Sequence, residues 1–275
     1  LQLIVYFWLI NLHQKKMKRI NNLSLLCLVC SLFLSFSVFA QKRDIYELKI
    51  YHIENDSQEA MLDSYLEKAY LPAAHKQGIE AVGVFKPIAS QSDAGKKIYV
   101  LTPFKSMKKF LMMESKLLKD QTYQDAGSAY IQATFNHPPY KRVETSVLQA
   151  MTGQPKFIES NLTGPKKDRI YEYRSYEGPT ERLYKQKVKM FNSGEMDIFT
   201  RLGFNAIFYA ETIVGANMPN LVYMTTHENF EKRDSNWKSF VSDYKWVEMK
   251  NMEEYQNTVS KNDTRLLYPT DYSDF

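Results

Sequence analysis

Ile45-Tyr46-Glu47-Leu48-Lys49-Ile50-Tyr51 returns 125 positions later as Ile170-Tyr171-Glu172-Tyr173-Arg174-Ser175-Tyr176. Both stretches are rich in β-branched and aromatic residues, the composition of a strand. The same interval of 125 links Gly78 to Gly203, and one of 124 links Tyr99 to Tyr223. Landmarks held at nearly one spacing mark an internal repeat, so each half can be read against the other.

Working outward from Ile45, the strand gives way to Asp56-Ser57-Gln58-Glu59. That is a helix start with Asp56 as cap and Glu59 three residues on. Met61, Leu62, Tyr65, Leu66, Ala69 and Ala73 then form the apolar stripe of a helix lying on a core. Gly78 stops it, because the left-handed position past a helix end strains any residue with a Cβ. Strands follow at 81–85 and 97–102, joined by the turn residues 90–95. A second helix starts at Ser106 and breaks near Lys119-Asp120, and a last strand covers 142–150. The second half reads alike: strands at 170–176, 204–214, 220–226 and 264–268, a helix from Pro179 to Gly203, and helices within 229–256.

The order β-α-β-β-α-β is the ferredoxin-like motif. Its antiparallel sheet carries helices on one face only, so the other apolar face needs a cover. The expected fold class is therefore α+β: two tandem ferredoxin-like repeats closing into an intramolecular pseudo-dimeric α/β barrel. The expected divisions are 41–153 and 169–275 for the two repeats. Between them lies a linker, 154–168, bearing Pro155, Gly164 and Pro165.

Residues 1–40 read as upstream sequence and a secretory leader. Met17-Lys18-Arg19 opens a basic segment, Leu23 to Phe36 is an apolar run, and Val38-Phe39-Ala40 suits cleavage after Ala40. Export to a periplasmic or extracellular space is the expected outcome, with no membrane span once the leader is cut. Cys27 and Cys30 leave with it, so the mature chain has no thiol for a disulfide, a metal or catalysis. Four of the 36 Lys and Arg residues also lie in the leader, leaving 32 against 31 acidic residues. Nucleic-acid binding needs a concentrated basic surplus, and the mature chain lacks one.

Tyr46-Glu47-Leu48-Lys49-Ile50-Tyr51 and Tyr171-Glu172-Tyr173-Arg174-Ser175-Tyr176 resemble the Y-E-x-R-x-Y opening strand of the NIPSNAP family. The stretch from Leu71 to Gly78, with Val82-Gly83-Val84-Phe85 after it, is similar to that family's helix end and second strand. The tail Leu267-Tyr268-Pro269-Thr270-Asp271-Tyr272-Ser273 is similar to a family ending. The resemblance implies a dimeric α/β barrel, a fold that also serves small-molecule oxygenases, haem enzymes and isomerases. It implies no catalytic residue set. Eukaryotic members are mitochondrial and linked to vesicle traffic and autophagy, a setting from which an exported chain departs.

No G-x-S-x-G elbow, Walker loop, G-x-G-x-x-G or H-E-x-x-H is present. His52, His75, His137 and His227 lie outside metal-ligand spacing of one another, so neither a metal nor a cofactor is assigned. His227, at a strand end, is the candidate for a pocket residue or haem ligand; Trp237 and Trp246 read as core. Side chains alternate along a strand, which groups Glu47, Lys49 and Tyr51, and in the second half Glu172, Arg174 and Tyr176. With Tyr46, Leu48 and Ile50 expected under the helices, both trios would face the inter-sheet space. There they would brace the barrel as ion pairs or line a polar ligand cavity, where burial and opposite charge tune a carboxyl for proton transfer. The expected function is binding of a small molecule in that space, with cofactor-free or haem chemistry within the fold's range. The alternative is a non-catalytic module docking a protein partner through its outer helices.

Overall fold

The computed structural model describes residues 41–275 and, before them, Trp8 alone. The expected leader, the start at Met17, the two cysteines and the cleavage point after Ala40 lie outside the described residues. β1 (Ile45–His52) leads into α1 (Asp56–Tyr65), a π-helical turn (Leu66–Tyr70) and α2 (Leu71–Lys76). β2 (Gly83–Pro87) and β3 (Lys97–Phe104) follow, then α3 (Met107–Leu117), α4 (Gln121–Ala126), α5 (Ser128–Ile131) and β4 (Arg142–Ala150). The second half has β5 (Ile170–Glu177), α6 (Glu181–Met190), a kinked turn (Phe191–Glu195) broken at Gly194, and α7 (Met196–Arg201). It continues with β6 (Asn205–Val214), β7 (Asn220–His227), α8 (Phe230–Ser242), α9 (Tyr244–Lys250) and β8 (Lys261–Pro269).

The eight strands close into one antiparallel barrel in the order β1-β3-β2-β8-β5-β7-β6-β4. Each half supplies four neighbours in the ferredoxin-like order, with its first strand between its third and fourth. Two seams join the halves. At one, Phe85 pairs with Pro269 and Pro87 with Leu267; at the other, Leu148 pairs with Thr212 and Ala150 with Ala210. Closure leaves no free edge, so each half satisfies the backbone groups at the other's margins.

Local signals place the helices. Asn55, one residue before the expected Asp56, caps α1 by accepting from the Gln58 N–H at 3.0 Å. Ser106 caps α3 through the Lys109 N–H, and Asp120 restarts the chain into α4 through the Thr122 N–H. Gly78 and Gly203 both adopt φ +79°, the left-handed conformation that ends each helix.

Two layers of core result. Inside the barrel lie Tyr46, Leu48, Tyr171 and Tyr173 with Phe85, Tyr99, Phe208 and Phe275. Their rings interlock: Tyr46–Phe208 at 4.9 Å, Phe85–Tyr171 at 4.8 Å and Tyr99–Tyr173 at 5.7 Å between centroids. Outside, one core sits beneath α1–α4 and another beneath α6–α8.

This reverses the expected facing of the opening strands. Glu47, Lys49, Tyr51, Glu172, Arg174 and Tyr176 pack under the helices, while Tyr46, Leu48 and Tyr171 fill the inter-sheet space. The alternation is as read, but its phase against the layers is opposite. Enclosed by strands on every side, the barrel interior is the least hydrated volume and takes the apolar set. The helix layer is open at its margins, where Glu, Lys and Arg keep their polar ends near water. A polar ligand cavity between the sheets is thereby ruled out for these six residues.

Candidate functional site

Beneath the first-half helices is a cavity of about 370 Å³ with Glu47 and Lys49 at its floor. β1 holds both firmly, since it is paired on one side with β3 and on the other with β4. The Lys49 ammonium lies 3.2 Å from the Glu47 carboxylate. It also stands 5.9 Å from the centre of the Tyr70 ring. Glu47 is 8% exposed and has Lys49 as its ion-pair partner, which leaves carboxylate capacity facing the cavity.

One wall is phenolic. Tyr65, Tyr70 and Tyr123 line it; Tyr65 and Tyr123 share a hydrogen bond of 2.9 Å, and the Tyr70 hydroxyl is bonded to Thr102 at 3.0 Å. Tyr65 is also stacked on Tyr130 with ring centres 3.7 Å apart. Burial pushes the Tyr65 and Tyr70 phenols far above their ordinary range, so both are neutral hydrogen-bonding groups. Tyr70 reaches the site because it ends the π-helical turn Leu66–Tyr70. Such turns rotate the residues after them out of the α-helical phase and recur at functional sites. The opposite wall is apolar, made by Phe110, Met113 and Leu117 of α3. Leu111, Glu114 and Leu118 form the rim, with Leu111 and Leu118 more than half exposed.

The second-half trio has a different setting. Glu172 is fully buried and saturated: it accepts from Arg174 at 2.6 Å, from Arg233 at 2.7 and 3.0 Å, and from the Trp237 indole N–H at 2.8 Å. Burial by itself would raise its pKa, but the Arg233 and Arg174 guanidinia and the Trp237 N–H hold it below the usual carboxylate range. Arg174 lies 3.9 Å from the Trp237 ring centre, and Tyr176 bonds to Arg174 and Tyr223. Trp237, read as core, is thus also a partner of Glu172.

Tyr51 sits beside the cavity, its hydroxyl 3.3 Å from that of Tyr130, without lining it. His227 is buried at the end of β7 in the other half, its ring nitrogens 3.3 Å from Thr225 and Asn236. The structure therefore brings Glu47 and Lys49 to one cavity and keeps Glu172, Arg174, Tyr176 and His227 away from it. Among the described residues, no group of three His, Cys, Asp or Glu side chains is gathered as for a metal ion. Nor is any helix among them long and apolar enough to cross a membrane. Tyr65, Tyr70, Phe110, Met113, Glu114, Leu117 and Tyr123 were not legible as site residues, because a helix stripe beside a cavity has the same pattern as one beside a filled core. One signal was there to be found: α3 carries Glu114 where α8 carries Trp237.

The NIPSNAP family model matches residues 171–274. A candidate monooxygenase from Fusobacterium nucleatum superposes with TM-score 0.54 at 11% identity, over 83% of this chain and 93% of that one. A second candidate monooxygenase, from Lactobacillus acidophilus, gives TM-score 0.54 at 12% identity over 82% and 94%. An anthrone oxidase-like protein gives TM-score 0.51 at 9% identity over 84% and 92%. At such identities the likeness is one of fold. No curated protein matches the chain. The chain is similar to the NIPSNAP family over residues 171–274, and the described residues fold as a dimeric-type α/β barrel within a single polypeptide.

Proposed function

We propose that the protein binds a small molecule beneath the first-half helices, its body against Phe110, Met113 and Leu117 and its polar end at Glu47 and Lys49. The observation that carries this is the cavity of about 370 Å³ with a largely buried acid–base pair at its floor. Ligand pockets are of this size and combine apolar walls with a few placed polar groups. The names of the fold neighbours, candidate monooxygenases and an anthrone oxidase-like protein, are those of proteins acting on small molecules. Glu47 can accept a hydrogen bond or a proton from the bound molecule, and Lys49 can stabilise negative charge on it.

Titration with the amphiphilic fluorescent probe anilinonaphthalene sulfonate, whose rings suit the apolar wall and whose sulfonate suits Lys49, tests the site. Saturable one-to-one binding is expected, weakened at least tenfold by Glu114→Trp, which places a ring over the cavity. No saturable binding, or binding indifferent to that substitution, would sink the proposal. A second reading, docking of a protein partner through α3, is favoured by Leu111, Met112 and Leu118, which are 69%, 42% and 61% exposed. Retention of a specific partner by the native chain but not by a Leu111→Lys, Leu118→Lys variant would support it. We also propose export, supported by the basic start, apolar run and Val38-Phe39-Ala40 pattern; N-terminal sequencing should find Gln41 first, and a mature start at Met17 would refute it.

A further inference from the structure

The two halves place equivalent residues at positions their elements define. β1 and β5 each span eight residues beginning Ile-Tyr-Glu, so Glu47 corresponds to Glu172 and Lys49 to Arg174. β3 and β7 each span eight residues as well. Tyr223 pairs with Arg174 as Val100 pairs with Lys49, so Tyr223 is the counterpart of Val100 and not, as expected from sequence, of Tyr99. Each of these two strands is followed by a helix cap, Ser106 or Asn229, that accepts from the backbone N–H three residues on. Counting from these caps, Phe110 corresponds to Arg233, Glu114 to Trp237 and Leu117 to Phe240.

Trp237 therefore stands at the helix position over which the first half has its cavity. In the second half its indole N–H donates to the acid, at 2.8 Å, and its ring face meets the cation, at 3.9 Å. In the first half the acid and the cation remain, 3.2 Å apart, but the side chain above them is the exposed Glu114. One copy of the acid–cation pair is closed by a ring of its own, and the other opens onto a space walled by rings. The filled copy shows which shape and polarity such a pair accommodates.

We propose that the first-half cavity takes a flat aromatic ring bearing an N–H or O–H donor, an indole- or phenol-like molecule, with the donor on Glu47 and the ring face toward Lys49. This rests on the cavity being a ligand site and adds the chemistry of the ligand. A donor meeting a poorly hydrated carboxylate makes a charge-assisted hydrogen bond. A ring face toward an ammonium adds cation–π attraction, stronger where water is excluded. Tyr65, Tyr70 and Tyr123 give an aromatic wall, Tyr70 tilted by 34° and Tyr123 by 65° against Tyr65, with Phe110 and Leu117 opposite. A ring lacking the donor would bury Glu47 without a new partner, and sites built around a polar group discriminate strongly on that basis.

The test is titration of the full chain with indole, N-methylindole and cyclohexanol, read by saturation-transfer NMR, beside the anilinonaphthalene sulfonate titration. Indole should bind, N-methylindole about tenfold or more weakly, and cyclohexanol not detectably. Glu47→Leu should bring the two ring compounds to equal affinity; should that variant not fold, the milder Glu47→Gln should narrow the gap between them. Equal binding of indole and N-methylindole to the native chain would overturn the placement of the donor on Glu47. Binding of the probe with neither ring compound would overturn the aromatic class and leave the ligand site standing. Failure of the probe as well would remove the ligand site itself.

Discussion

At His227, burial pushes the imidazole down to about 4 from its ordinary 6.5, and the side chain is held neutral between Thr225 and Asn236. Glu172 acts against that shift, while Arg233 and Arg174 add to it. Between pH about 6.5 and 4 the unfolded chain takes up a proton that the native chain refuses, so stability falls with pH across that window. The loss amounts to about 3 kcal/mol in all. Replacing His227 by Gln should flatten urea-derived stability over that window, leaving only carboxylate losses such as that of Glu172 at lower pH. An unchanged slope would show that His227 is not held neutral. In sequence it stood out as a strand-end histidine, a candidate pocket residue or haem ligand. A haem ligand, however, would need a free ring nitrogen facing open space, and both of its nitrogens have protein neighbours.

Among the elements, β1 and β5 could be placed in sequence almost to the residue, because β-branched and aromatic runs bounded by caps are strong local signals. The helix ends were equally plain: Gly78 and Gly203 each take φ +79°. Gly78→Ala should cost about 1–2 kcal/mol, the strain of a Cβ in the left-handed region. No atom lies within 4 Å of the added Cβ, so the cost would be backbone strain rather than a clash. Gly164→Ala, at a position equally open but without positive φ, is the control and should be near neutral in the same urea titration. Equal effects at the two positions would contradict the strain account. Two features escaped the sequence. The π-helical turn Leu66–Tyr70 has no compositional mark, since it arises from how the helix settles on its sheet, and the kink at Gly194, where φ is 160°, was passed over inside one expected helix. The facing of β1 escaped because alternation gives two faces without naming them. Tyr46 and Leu48 are apolar enough for either layer, and only the closed barrel decides between them.

For the molecule as a whole, the two seams matter most. β2 pairs with β8 and β4 with β6, and the rings of Phe85 and Tyr171 meet across the interior. A chain of residues 41–152 would expose both strand margins and the ring layer together. It is expected to pair with a second copy or aggregate in sedimentation, since an uncovered edge and apolar face recruit another chain. A well-folded monomer would contradict the mutual dependence of the halves. The doubled architecture also explains why the site itself was hard to read. Barrel closure uses up the inter-sheet space where polar strand residues first pointed. The open volume lies instead where the halves diverge, at Glu114 against Trp237. A crystal structure of the full chain grown with indole tests the central claim most directly. The ring is expected between Glu47–Lys49 and α3, its N–H within hydrogen-bond distance of the Glu47 carboxylate; indole found elsewhere with that cavity unoccupied would contradict the proposed site.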